Sequence, residues 1–151
     1  MTVNAYSAKA ALITLLKANT DTGEALDGVD VAYSWGALTA SNRCVYGGWV
    51  SFAQTPSVPE YPGLLVSEDA TINLYIRATD NPPTDVATTD AAVDDIVAAV
   101  GAVLRANPKF GGGYSWTGLT SGNGDYSETD TETTSVMVLR VGVSTQLSYG
   151  V

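Results

Sequence analysis

The stretch LRANPKFGGGYSWTG, residues 104–118, holds residue types from which a phosphate cradle or a nucleophile turn could be built. A phosphate loop needs a strand, a glycine-rich turn closed by Lys-Ser/Thr, and then a helix whose N-terminal amides face the anion. Here the glycines Gly111, Gly112 and Gly113 follow a helical pattern, so they meet a helix C-terminus, whose partial negative charge repels phosphate. Lys109 precedes the glycines instead of closing the turn. GYSWTG also misses the G-x-S-x-G elbow, because Thr117 stands in the place of the last glycine and the strand–helix order is reversed. The segment reads as a helix stop with a strand after it.

Other chemistry finds as little support. The chain has no histidine, which removes His-based triads, most catalytic zinc sites and the usual near-neutral acid–base group. Sixteen acids leave paired carboxylates formally open, yet the acids fall in charge-rich loops and one helix start, with no pair set in an apolar run. DYSETDTETTSV (125–136) offers oxygens at alternate positions but lacks the central glycine and closing glutamate of a calcium loop. Cys44 is alone, so no intrachain disulfide forms, and its apolar surroundings predict a buried, inert thiol. The expectation is no catalytic residue, no metal and no cofactor.

The charge pattern says more. The formal net charge is −9, with only seven basic residues and no two of them adjacent, which argues against a phosphate-binding face. Five acids and no base lie between Asp80 and Asp95, namely Asp80, Asp85, Asp90, Asp94 and Asp95. Asp125, Glu128, Asp130 and Glu132 follow between Gly122 and Thr134, again without a base. The other seven acids match the seven bases, so the net charge resides in these two segments. The longest early apolar run, Ala10 to Leu16, is too short to span a bilayer, and no Asn-x-Ser/Thr sequon occurs. A soluble intracellular protein without membrane contact is expected.

The elements that must carry these residues follow from periodicity. Ala8, Ala11, Leu12, Leu15 and Leu16 form one stripe of a first helix, from a Ser7 cap to about Ala18. Val29, Val31, Tyr33 and Trp35 alternate as a half-buried strand ending near Gly36. RCVYGGWVSFAQT (43–55) reads as a second strand covered on both sides, with a bulge or bend at Gly47-Gly48. PSVPEYPGLL is a rigid loop, and TINLYIRAT (71–79) is a strand with Ile72, Leu74 and Ile76 on one face. After a loop at Asp80–Thr89, Val93, Ile96, Val97, Val100, Val103 and Leu104 mark a helix over Asp90–Asn107, ended by Pro108. YSWTGL is a short strand, and Ser135–Val143 is the closing one. The 151 residues therefore predict one α+β domain. A single mixed or antiparallel sheet is flanked by two helices in the order α-β-β-β-α-(β)-β.

Two features suggest assembly. Ala98, Gly101 and Ala102 make a second, small-residue face on the later helix, where an internal glycine costs about 1 kcal/mol; this fits close approach of another backbone, and equally a solvent face of small residues or contact with the first helix. The acidic segment 122–134 bridges two strands and reads as a projecting hairpin arm or a solvated loop.

With these patterns in place, the chain resembles the tail terminator proteins of long-tailed bacteriophages, also called minor tail or tail-to-head joining proteins. AALITLLKAN is similar to the family's opening helix, and GVDVAYSWG and CVYGGWV to its first two strands. EDATINLYIRATD is similar to the long central strand, AAVDDIVAAVGAVLRANPKFGGGYSW to the second helix with its glycine ending, and SVMVLRVGVSTQL to the closing strand. The loop Asp80–Thr89 departs from that pattern. The resemblance implies a homo-hexameric ring at the head-proximal end of the virion tail, assembled in the host cytoplasm. Such a ring caps the tail tube, ends its polymerisation and joins a head–tail connector or stopper protein, and no reaction is catalysed. DNA would pass through its lumen without specific binding. Asp125, Glu128, Asp130 and Glu132, or the acids of 80–95, would then face the lumen or a basic partner ring. A different connector, stopper or tail-tube protein is the alternative, and a monomeric binding module is a further one.

Overall fold

The computed structural model describes residues 5–38, 42–56, 65–110 and 114–148. Two helices and one mixed sheet make up these residues. Helix α1 spans Ala5–Lys17 and α2 spans Val86–Ala106. The strands are β1 (Asp30–Ala32), β2 (Arg43–Pro56), β3 (Leu65–Asp80), β4 (Lys109–Phe110), β5 (Tyr114–Glu128) and β6 (Thr133–Ser148). They lie in the order β1-β2-β3-β6-β5-β4, with β1 parallel to β2 and all other pairs antiparallel.

Alternation along β3 explains the core. Ile72, Leu74 and Ile76 are fully buried, and their neighbours across the sheet, Val45 on β2 and Leu139, Val141 and Val143 on β6, join the same cluster. Both helices close on that cluster, α1 through Leu12 and Leu16 and α2 through Val93, Val100 and Leu104. Each fully buried side chain of this size contributes about 1.5–3 kcal/mol of transfer free energy. Residues of opposite parity, such as Tyr46, Tyr75 and Val138, are only partly covered.

Several expectations need correction. The strand foreseen through Trp35 ends at Ala32, because the chain turns at Ser34 into a short 3-10 helix over Trp35–Ala37 that Leu38 closes by donating to Trp35 O. β2 has the foreseen extent and a register shift between Gly47 and Val50, but it is not covered on both sides. Trp49, Ser51, Phe52 and Ala53 are exposed. The proline-rich loop reading for PSVPEYPGLL falls largely on residues 57–64, outside the described residues.

Helix α2 begins four residues earlier than Asp90. Asp85 is its N-cap and accepts from Ala87 N, while Thr89, without apolar periodicity to announce it, is fully buried. Asp90 thus sits past the first turn. The helix ends at the foreseen place, with Asn107 as C-cap donating to Val103 O and Leu104 O ahead of Pro108. β4 follows, so the helix stop is Asn107-Pro108, and Gly111–Gly113 lie outside the described residues. β5 is the largest surprise: the short strand at YSWTGL runs for 15 residues. Glycine and polar residues are poor strand formers, but pairing with β6 holds them, and register shifts between Trp116 and Gly118 and between Ser121 and Gly124 absorb the irregularity.

Candidate functional site

The backbone brings the two acidic segments to one end of the molecule. β3 ends with Asp80 opposite Thr133, and β5 ends with Glu128 opposite the same Thr133 on the other side of β6. Thr133 Oγ1 donates to Thr84 O at 2.8 Å, which ties the entry of α2 to the base of the β5–β6 hairpin. Ser135 Oγ donates to Asp90 Oδ1 at 2.6 Å and lies 2.7 Å from Thr89 Oγ1. Thr79 and Thr134 hydroxyls meet at 3.0 Å across the β3–β6 pair. A ladder of hydroxyls therefore staples the first acidic segment to the second.

The hairpin turn is built by Thr129, whose backbone N and Oγ1 both donate to Glu132 O while its Oγ1 accepts from Thr131 N and Glu132 N. Asp130 and Glu132 sit in that turn, and Asp125 and Glu128 sit on β5. The segment is thus a hairpin end, with Thr133 alongside the end of β3, so it does not run far beyond the sheet. Arg43 answers part of this charge: its Nη2 lies 3.0 Å from Asp80 Oδ1. Thr84 Oγ1 donates to Asp80 Oδ2 at 2.6 Å, and this hydrogen bond, followed by Arg43, holds the Asp80 carboxyl below its ordinary pKa.

Between α2 and the hairpin lies a groove of about 310 Å³. Asp90 and Asp94 on α2 supply its carboxylates and Val93 and Met137 its apolar floor, with Tyr126 at the side. Asp125 and Val136 border it as a cross-strand pair, but they are one residue out of step with Tyr126 and Ser135, so their side chains point to the other face of the sheet. No basic residue lines it. Asp95 faces a separate, smaller groove beside Arg43.

The small-residue face of α2 is placed differently. Ala98 and Ala102 are exposed, while Gly101 is buried under its own helix's Arg105, and a Cβ there would lie 3.2 Å from Arg105 Nη1 and 3.6 Å from Leu119 Cδ1 of β5. The tight contact is with the end of an exposed, flexible Arg105 side chain and the Leu119 distance is ordinary packing, so contacts within the chain do not require glycine at 101.

Sequence reasoning missed an aromatic and cationic cluster on β2 and β3. Tyr46 stacks on Tyr75 at 5.2 Å, Trp35 meets Tyr46 edge-on, and the Arg77 guanidinium lies 4.8 Å from the Trp35 ring centroid. Lys9, whose nitrogen donates to Gly48 O at 3.0 Å and sits 4.1 Å over the Tyr33 ring, is buried, and burial lowers its pKa. A lysine outside the apolar stripe of α1 gave no hint of this, since the aromatic and carbonyl partners are far away in sequence. Cys44 is buried as expected, and burial raises its thiol pKa above the usual value while Arg77 opposes the shift. Among the described residues no three His, Cys, Asp or Glu side chains are grouped to hold a metal ion, and no helix is long and apolar enough to cross a membrane.

The class defined by these features is a two-helix α+β domain with one strongly acidic end. No protein-family model and no curated protein sequence matches the chain. Its fold is similar to that of a chain in a solved structure described as the virion of a native gene transfer agent (GTA) particle. That likeness covers 95% of this chain and 99% of the other, with a TM-score of 0.53 and 16% sequence identity. At this identity the two share a fold across their whole lengths.

Proposed function

We propose that this chain is a structural protein of a phage-like virion, and within that class a tail terminator. Six copies form a ring on the last ring of the tail tube, end its polymerisation and present a surface to the head–tail connector. The chain catalyses no reaction in this reading. The observation that carries it is the meeting of the two acid-rich segments, at the end of β3 and the β5–β6 hairpin, in a fold shared with a virion chain. A carboxylate-rich surface repels nucleic-acid phosphate and attracts basic protein surfaces, which suits a part that DNA must pass without sticking. Such a charge gathering weakens the folded chain by self-repulsion, so it needs a use outside the monomer.

The test replaces Asp125 and Asp130 by Asn and Glu128 and Glu132 by Gln in the producing phage or particle. Tails that fail to join heads, or that grow past their normal length, support the terminator reading. Normal tails that join and deliver DNA would remove it. Labelled antibody on whole particles separates the alternatives: label at the head-proximal tail end fits a terminator, label in the neck fits a stopper, and label along the tube fits a tube protein. A stable monomer absent from particles would instead indicate a separate binding module.

A further inference from the structure

One face of the sheet is turned away from both α1 and α2. Val45, Leu74 and Ile76 point into the core, so Tyr46, Tyr75 and Arg77 point the other way, and Val138 and Val136 of β6 stand beside Tyr75 and Arg77 on that face. Trp35 lies over the row. It meets Tyr46 edge-on at 5.2 Å, Tyr46 stacks on Tyr75 at 5.2 Å, and the Arg77 guanidinium rests against the Trp35 ring. Trp35 is still 55% exposed, and Tyr46, Tyr75, Val136 and Val138 are only half-buried. Arg77 stands at one end of the patch and the exposed Arg140, beside Asn73, at the other. These seven residues include no acid, in a chain of net charge −9. An aromatic platform between two cations suits an extended, proline-rich segment that carries an acid. Such a segment lays its proline rings on aromatic faces and, being stiff already, loses little entropy on binding.

The sequence holds such a segment. In PSVPEYP, Pro56, Pro59 and Pro62 recur at every third residue, the period of a polyproline helix, with Glu60 among them. We infer that the Trp35–Tyr46–Tyr75 face of one copy binds residues 56–62 of a neighbouring copy, with prolines on the aromatic rings and Glu60 toward Arg140. A copy cannot reach its own face. Tyr46 and Pro56 are ten residues apart along β2, about 33 Å at about 3.3 Å per residue. The eight residues 57–64 must leave Pro56 and return to Leu65, so they extend only about 14 Å from the end of the sheet. Charge favours the same pairing, because the patch is basic and the segment acidic. The neighbour is a ring mate, and for that the inference rests on the ring proposed above; the recognition chemistry does not.

The experiment titrates a capped peptide of residues 55–63 into the isotope-labelled full chain, in which Pro59→Ala and Pro62→Ala remove the competing segment. The Trp35 indole and the Tyr46 and Tyr75 signals are expected to shift and to saturate. A peptide with Pro56→Ala, Pro59→Ala and Pro62→Ala is expected to bind about tenfold more weakly or worse, and one with Glu60→Gln about threefold more weakly. Trp35→Ala and, separately, Arg140→Gln, both at exposed positions, are expected to weaken the parent peptide by about tenfold and about threefold, with the fold unchanged by circular dichroism. Equal binding of the parent and alanine peptides, an unaffected Trp35→Ala chain, or shifts confined to another surface overturns the proposal. The absence of any shift at millimolar peptide overturns it too. Finding the chain in the neck or along the tube would remove the terminator reading and leave these titrations as they are, so the two failures are told apart.

Discussion

Ser135 Oγ on β6 gives its single proton to Asp90 Oδ1 on α2, at 2.6 Å, across 45 residues of sequence. With that proton spent, Thr89 must be the donor in its 2.7 Å contact with Ser135, a proton it shares with Val86 O. This pair fixes the entry of α2 on the hairpin and thereby sets the two acidic segments side by side. Removing the hydroxyl leaves a carboxylate short of a partner and a fully buried threonine with one acceptor fewer. Ser135→Ala is expected to cost about 1.5–3 kcal/mol, the range for a hydrogen bond to a charged group. Urea unfolding with an unchanged m-value would show it, and a loss under about 0.5 kcal/mol would mean that the contact does not hold the two segments together.

The gathered charge has its own signature. Two acid-rich segments meet where β3 ends beside the β5–β6 hairpin, and Arg43 pairs with Asp80 there. Like charges at this density oppose folding, and salt screens them, with a Debye length of about 30 Å at 0.01 M and about 8 Å at 0.15 M. Thermal stability is therefore expected to rise between these salt concentrations. The variant with Asn at 125 and 130 and Gln at 128 and 132 is expected to unfold at a higher temperature in low salt and to respond less to added salt. Identical salt slopes for the two proteins in differential scanning calorimetry would show that the hairpin acids do not feel the α2 acids.

Much of this was legible in the residues, for reasons that differ by element. The stripe Val93–Leu104 and the alternation Ile72, Leu74, Ile76 each face one core, so period and burial agree over those stretches, although β3 begins at Leu65, six residues before the foreseen strand. β5 escaped because its strand state comes from pairing with β6 and not from its own glycines and polar residues. The start of α2 escaped because Thr89 is buried by hydroxyl bonding with Ser135, which leaves no apolar mark. The two acidic segments were visible as segments, but their union depends on the register of β3 and β5 against β6, a long-range fact that charge counting does not contain. The aromatic cluster around Tyr46 and Tyr75 was hidden for the same reason.

Gly47 offers a test of how α1 is seated. A Cβ there would collide with the Lys9 side chain and lie 2.6 Å from Tyr33 O, and the second of these is backbone that cannot swing aside. Gly47→Ala is expected to cost about 1–3 kcal/mol through overpacking, and to loosen Lys9 from Gly48 O and the Tyr33 ring. Denaturant unfolding gives the energy, and the Lys9 ammonium resonance, shifted by the ring beneath it, gives the local effect. A neutral Gly47→Ala would show that α1 can slide on the sheet.

Asp80 should respond to acid in a direction that its partners fix. Its carboxyl is held below the ordinary value first by the Thr84 hydroxyl and then by Arg43, so the charged form is the one stabilised in the folded chain. Stability from this group is therefore present above the unfolded carboxylate pKa, about 3.9, and is lost as pH falls through the lower folded value. Thr84→Val removes the first cause while keeping the shape of the side chain. Its Asp80 pKa is expected to move up toward the ordinary value in a carboxyl-carbon titration, and the variant should be less stable than the parent at neutral pH. The gap between the two proteins should close as pH drops below the folded pKa of the parent, where both carry a neutral Asp80. A gap that persists into acid would mean that Thr84 acts by shaping the approach to α2, with the carboxylate charge a bystander.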